Sequence, residues 1–234
     1  SATLGGGEQG TVEQGKAPTK SPLLDAVNVI QWVLYYPQVV APEDLGLKED
    51  EKSALAESLA AYRQGDLLGA LARYPENRAR SSDGEHGYYA ALLLAVGQVK
   101  ESEVELKQLP ENSPVARALR ELIVAVKHGA SAEMKTPATA SEWMARSYYE
   151  QSRGKLADAL KAADAAVAQA PGFGAAHIRQ ADLQFGFGRT AAAVAALNRG
   201  LVEAKLLIGF CLLFSRDPTR LDVRDIHGAI GVNK

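Results

Sequence analysis

The sequence predicts a mainly α-helical protein, a right-handed α-solenoid of antiparallel helix pairs with a short N-terminal β-hairpin or extended tail. Gly154 and Gly188 are 34 residues apart, and the residues that surround them match at this spacing. Each glycine follows a helix-like run and precedes an alanine-rich run, and Pro171 ends the first alanine-rich run. A period of this length that consists of helix, turn and helix is typical of stacked helix pairs.

Small residues support this interpretation. Two helices approach closely only where their side chains are small, and we expect Ala145 and Ala181 to be such contact points in the first helices. Ala159 and Ala193 take this role in the second helices. The glycines lie in the turns, where a positive φ favours glycine. We expect Tyr148 and Leu156 to fill the gaps between units.

Residues 139–205 resemble two units of the tetratricopeptide repeat family, although Lys205 stands where the second unit's proline is expected. The resemblance implies a groove that binds protein or peptide segments by stacking and charge-assisted hydrogen bonds. The alternative is that the groove is vacant or filled by the chain's own N-terminus, with ordinary surface residues along it. The exposed groove residues that the resemblance implies are Glu142, Arg146, Tyr149, Glu150, Ile178, Arg179, Asp182 and Phe185.

The pattern over residues 23–130 predicts further helical repeats, whose sequences are more degenerate than those of the two clear units. Gly65 and Gly97 are 32 residues apart, close to the later period. Ser113 and Pro114 predict a helix start, with serine as the cap and proline at the first helical position. Together with the two clear units this gives about ten helices.

Residues 1–22 predict either an extended tail or two short strands, over 2–4 and 9–13. The run from Gly6 to Pro18 resembles the closing strands of a FecR-type domain, a β-rich module of bacterial envelope proteins. Residues 23–36 are apolar and fit a helix or a strand.

The apolar run at the start of residues 206–234 leaves no polar helical face, so it must be covered. Three explanations stay open: packing under the C-terminal tail, truncation of a longer repeat array, or docking of a partner. Self-association is therefore predicted as one outcome, and the candidate assembly contacts are Leu207, Phe210, Leu213 and Phe214.

Composition narrows the class of function. The formal net charge of −2 gives no general attraction to nucleic acid or anionic membranes. A single cysteine, Cys211, excludes an intramolecular disulfide. No run reaches the roughly 20 apolar residues of a transmembrane helix. The four histidines, His86, His128, His177 and His227, form no ligand motif, so we expect no metal site. The glycine runs lack the lysine and serine or threonine that end a phosphate-binding loop, and the serines lack nucleophile-elbow glycines, so we expect no cofactor and no catalytic site.

We therefore predict a non-catalytic scaffold or adaptor of the bacterial cell envelope. The alternatives are a structural subunit of a larger envelope or extracellular assembly, and an accessory module that binds a small ligand. The first residue is Ser1, which we interpret as the start of a processed or trimmed chain. A periplasmic or extracellular location is expected on this basis, with the cytoplasm as the alternative.

Overall fold

The fold is described from a computed structural model, which covers residues 8–11, 19–22, 38–127, 129 and 135–204. Two short strands, β1 (Glu8–Thr11) and β2 (Thr19–Pro22), pair antiparallel. The strand expected over residues 2–4 and the ambiguous residues 23–36 lie outside the described residues.

The rest of the described chain is mainly helical, as predicted. A 3₁₀ helix (Pro42–Leu45) precedes the α-helices. The ten α-helices among the described residues are α1 (Glu49–Ala54), α2 (Ala56–Arg63), α3 (Leu67–Ala72), α4 (Asp83–Ala95), α5 (Val99–Leu106), α6 (Pro114–Val126), α7 (Ala140–Ser152), α8 (Leu156–Gln169), α9 (Gly174–Gly186) and α10 (Thr190–Ala204).

Several helix starts follow from local side-chain chemistry. The Ser82 hydroxyl accepts a hydrogen bond from the Glu85 amide at the start of α4. Ser113 caps α6 in the same way, with proline at the first helical position, as predicted. These caps satisfy amides that have no partner inside the helix.

Four glycine turns join the helices in the same way. Gly65, Gly97, Gly154 and Gly188 all have φ between 73° and 83°. In each turn the glycine amide donates to the carbonyl three residues earlier, and the next amide donates to the carbonyl five residues before it. This is the Schellman arrangement, which closes the C-terminus of a helix. The predicted turn role of the glycines is therefore confirmed.

Most helix contacts join neighbours along the chain, and most extensively α9 with α10 and α7 with α8. In the pair of α4 and α5, His86 contacts Glu105 and the Ala90 carbonyl accepts from Ser102. Later residues of α4 therefore meet earlier residues of α5, which makes this pair antiparallel.

The small residues lie where close packing was predicted. Ala145, Ala159, Ala181 and Ala193 are all buried. Tyr148 is also buried, as expected. Leu156 is not: it is 40% exposed at the start of α8, so its predicted gap-filling role is wrong. Its position in the first turn of α8 leaves it at the edge of the helix pair.

Helices α6 and α7 depart from the antiparallel pattern. Arg117 pairs with Glu142 and Glu121 pairs with Arg146, and both separations are 25 residues. Four residues further along α6, the partner is four residues further along α7 in the same direction. The two helices are therefore parallel. Residues 127–139 connect α6 to α7, and the described residues of this connection contain no helix.

We expect Gly154→Ala to lower the free energy of unfolding by about 1–2 kcal/mol, because alanine at this positive φ is strained. The matched control is Gly186→Ala, at a helical position where an added Cβ also has no atom within 4 Å. Alanine there is neutral or stabilising by up to about 1 kcal/mol. Urea unfolding of both variants is the measurement, and equal effects would contradict the assigned role of the turn.

Candidate partner-binding face

The eight predicted groove residues all lie on α7 and α9, but half of them are buried. Glu142, Tyr149, Ile178 and Arg179 are each at most 7% exposed, so their predicted exposure is wrong. Arg179 and Glu142 both contact a neighbouring helix, which the spacing within one helix does not reveal. The partly exposed members are Arg146, Glu150, Asp182 and Phe185.

Glu142 is part of the N-terminal cap of α7. Its Oε2 accepts from the Ala138 amide at 2.9 Å and from the Thr139 amide at 3.2 Å. Thr139 in turn accepts from the Glu142 amide, which completes a capping box. Oε1 accepts from the Arg117 guanidinium at 2.7 Å. Glu142 therefore has a structural role at the helix start.

The second ion pair between α6 and α7 uses Arg146. Its Nε donates to Glu121 Oε1 at 2.6 Å, and its other nitrogen donates to the Lys135 carbonyl at 2.9 Å. Burial raises the pKa of Glu121, and the carboxylates of Glu142 and Glu150 raise it further, against the lowering effect of Arg146. Arg146 is therefore engaged inside the chain.

Arg179 links α9 to α7. Its Nε donates to the Ser147 hydroxyl at 2.9 Å, and one terminal nitrogen donates to Asp182 at 3.0 Å. The other terminal nitrogen donates to the Ser147 carbonyl and to Gln151. The guanidinium also lies 4.0 Å from the ring centroid of Tyr148, a cation–π contact. This buried cation holds two helices together.

Two of the predicted residues form the accessible part of the face, and we call Asp182 and Phe185, one turn apart on α9, the strip. The Glu150 side chain is only 13% exposed, and its Oε2 is buried without a hydrogen-bond partner among the described residues. Glu150 is 3.6 Å from the ammonium of Lys155, a loose ion pair. The Asp182 side chain is 38% exposed although it accepts from Arg179. Phe185 is half-buried near the end of α9. The Asp182 carboxylate can accept hydrogen bonds from a partner, and the Phe185 ring can stack on it.

In the part of the chain that the structure describes, no group of His, Cys, Asp and Glu side chains could hold a metal ion. His177 is buried with its Nε2 2.8 Å from the Pro171 carbonyl, and His86 contacts Glu105. Among the same residues no helix combines the length and apolar character needed to cross a membrane. The predicted assembly contacts at 207–214 lie outside the described residues.

Sequence reasoning missed one contact region on α7. Ser141 at the start of this helix is fully buried, and its amide and hydroxyl both donate to Asp44, at 2.8 and 2.6 Å. Only the polarity of a serine in the first helical turn hints at such a contact, because its partner lies 97 residues earlier.

No family model, curated protein or solved structure matches this chain.

We expect Arg179→Lys to lower the free energy of unfolding by about 2–4 kcal/mol, because lysine cannot reproduce the planar set of buried hydrogen bonds. The matched control is Arg189→Lys, which changes an exposed arginine that lies 5.0 Å from the Phe187 ring centroid. The control should cost less than about 1 kcal/mol. Chemical unfolding measures both, and similar losses would contradict the assigned role of Arg179.

A second prediction concerns alkaline pH. Burial raises the pKa of Tyr148 to about 12 from an ordinary value of 10.0, despite the lowering effect of Arg179. Between these values the unfolded chain loses this proton before the folded chain does, so stability falls as pH rises. In Tyr148→Phe the slope of unfolding free energy against pH should be shallower by up to about 1.4 kcal/mol per pH unit. Urea unfolding from pH 9 to 11.5 measures it, and an unchanged slope would refute the assignment.

Proposed function

We propose that this chain is a non-catalytic scaffold, a right-handed solenoid of the tetratricopeptide type that binds segments of partner proteins. The observation that supports it is the repeated unit of helix, left-handed glycine and helix. The four glycine turns have the same pair of hydrogen bonds although their flanking sequences differ. Repeated helix pairs offer an extended surface to other proteins.

The strip is the part of the face on which we place the partner. Its Asp182 carboxylate can accept hydrogen bonds from a partner's amides or cations, and Phe185 supplies apolar contact. The nearby arginines contribute less to this binding, because Arg146 and Arg179 already donate to acceptors within the chain. The partner that fits best is a segment with hydrogen-bond donors beside an apolar side chain.

We also propose that the protein acts in the bacterial cell envelope, outside the cytoplasm. This proposal depends on the resemblance of residues 6–18 to the end of a FecR-type domain. Fractionation of the native host, with an antibody against this chain, tests it. Recovery in the cytoplasmic fraction alone would contradict it.

The binding proposal is tested by capture from the envelope fraction, followed by titration of the captured segment. Phe185→Ala should weaken binding about tenfold or more, since it removes the aromatic ring of the strip. The control is Leu68→Ala on α3, which removes an apolar side chain that is 74% exposed away from the strip. Equal loss in both variants would contradict the placement. A chain that captures nothing and forms an open-ended series in light scattering would instead favour a structural subunit.

A further inference from the structure

The hydroxyl of Tyr74, in the loop after α3, is buried without a hydrogen-bond partner among the described residues. The whole residue is 5% exposed. Burial and the charge of Glu85 raise the pKa of Tyr74 to about 12, against the lowering effects of Arg80 and Arg78. The phenol therefore keeps its proton at neutral pH and can donate a hydrogen bond. A buried donor without an acceptor destabilises the folded chain, so its presence calls for a reason, such as a bound ion.

The two arginines beside this hydroxyl also have donors that no described residue accepts. Arg78 Nε donates to Glu85 at 2.5 Å, and its two terminal nitrogens have no hydrogen bond within the described chain. Arg80 donates to Glu105 from Nε at 3.2 Å and from Nη2 at 2.9 Å, which leaves its Nη1 without such a bond. The two arginine side chains are 27% and 25% exposed, so a ligand can reach these nitrogens from solvent.

Arg80 is held in place before any ligand binds. Its guanidinium lies 4.2 Å from the ring centroid of Tyr89, whose ring is 4.7 Å from that of Tyr74. The two hydrogen bonds to Glu105 on α5 fix the plane of the guanidinium. His86 Nδ1 of α4 lies 2.7 Å from the same carboxylate. A donor that is already oriented loses little conformational freedom when it binds a ligand.

The unused donors determine the class of ligand. They come from three side chains, and a guanidinium has no acceptor atom, so the ligand must be rich in acceptor oxygens. A phosphate group has enough oxygens to accept from all three side chains, and guanidinium groups bind it through parallel hydrogen bonds. Glu85 and Glu105 offset the charge of both arginines. Hydrogen bonds, more than net charge, therefore select the ligand.

We propose that Tyr74, Arg78 and Arg80 form a phosphate-binding site in the loop between α3 and α4. The phosphate group accepts hydrogen bonds from the Tyr74 hydroxyl and from the unused nitrogens of the two arginines. A free phosphate ion and a phosphate monoester of a small molecule present the same terminal oxygens to these donors. The site uses none of the residues of the strip, so it is a second binding site of this chain.

Calorimetric titration of the full chain with inorganic phosphate at constant ionic strength tests the proposal, and saturable binding is expected. Tyr74→Phe should raise the dissociation constant about tenfold, because it removes one hydrogen bond to a charged acceptor. The control is Tyr88→Phe, in a ring 6.2 Å from that of Tyr74 whose hydroxyl lies 2.8 Å from that of Ser58. Its affinity for phosphate should stay unchanged. A wild-type chain that does not bind phosphate saturably, or equal weakening in both variants, would overturn the proposal.

Urea unfolding with and without phosphate separates binding from folding. Phosphate should stabilise the wild-type chain and Tyr88→Phe by mass action, and Tyr74→Phe much less. Arg78→Lys, which keeps the charge but loses the planar fork, should also lose most of this stabilisation. Equal stabilisation of all four chains, or equal stabilisation of the wild-type chain by acetate at the same ionic strength, would overturn the proposal. Titration with glycerol phosphate identifies the source: tighter binding than inorganic phosphate indicates a monoester, and weaker binding indicates the free ion.

Discussion

The left-handed glycine turn is the constraint on which the helix pairs depend. A helix ends with carbonyls that lack partners, and the two hydrogen bonds of each turn satisfy them while the chain reverses. The reversal brings the next helix back along the previous one. Alanines such as Ala145 and Ala159 then allow the two helices to approach closely. The turn therefore determines which helix faces meet and which of their residues are buried.

The connection after α6 leads to a different arrangement of the next helix. Its described residues contain no helix, and α7 lies parallel to α6 in direct contact. Two parallel helices present their side chains at matching levels, so Arg117 meets Glu142 and Glu121 meets Arg146. Each pair is partly buried, and removal of one member would leave a charge without its partner, at a cost of up to about 3–5 kcal/mol. These ion pairs link α6 and α7 in addition to the buried apolar residues of both helices, such as Leu122 and Met144.

Features with a local cause could be predicted from the sequence, and features with a distant cause could not. Gly154 and Ala159 mark a turn and a close contact by their own size, so their roles were predictable. Arg179 is a polar residue in a helix and reads as exposed, yet it is buried because Ser147 and Tyr148 surround it. Glu142 has both kinds of contact: its capping box with Thr139 is local and is signalled by the spacing of the two residues, whereas its ion pair with Arg117 is distant. The distant partners of Glu142 and Arg179 are 25 and 32 positions away, and helical periodicity does not report contacts at such separations.

This distinction also limits how binding to α7 and α9 can be studied. Arg146 and Arg179 are natural choices for mutagenesis in a groove, but both donate to acceptors inside the chain. Their replacement would destabilise the helices before it reported on any partner. Phe185 and Asp182 are more exposed, so their side chains can change with less effect on the fold. The proposed binding at this face therefore depends on the Asp182 carboxylate and the Phe185 ring, while Arg146 and Arg179 link α6, α7 and α9 to one another.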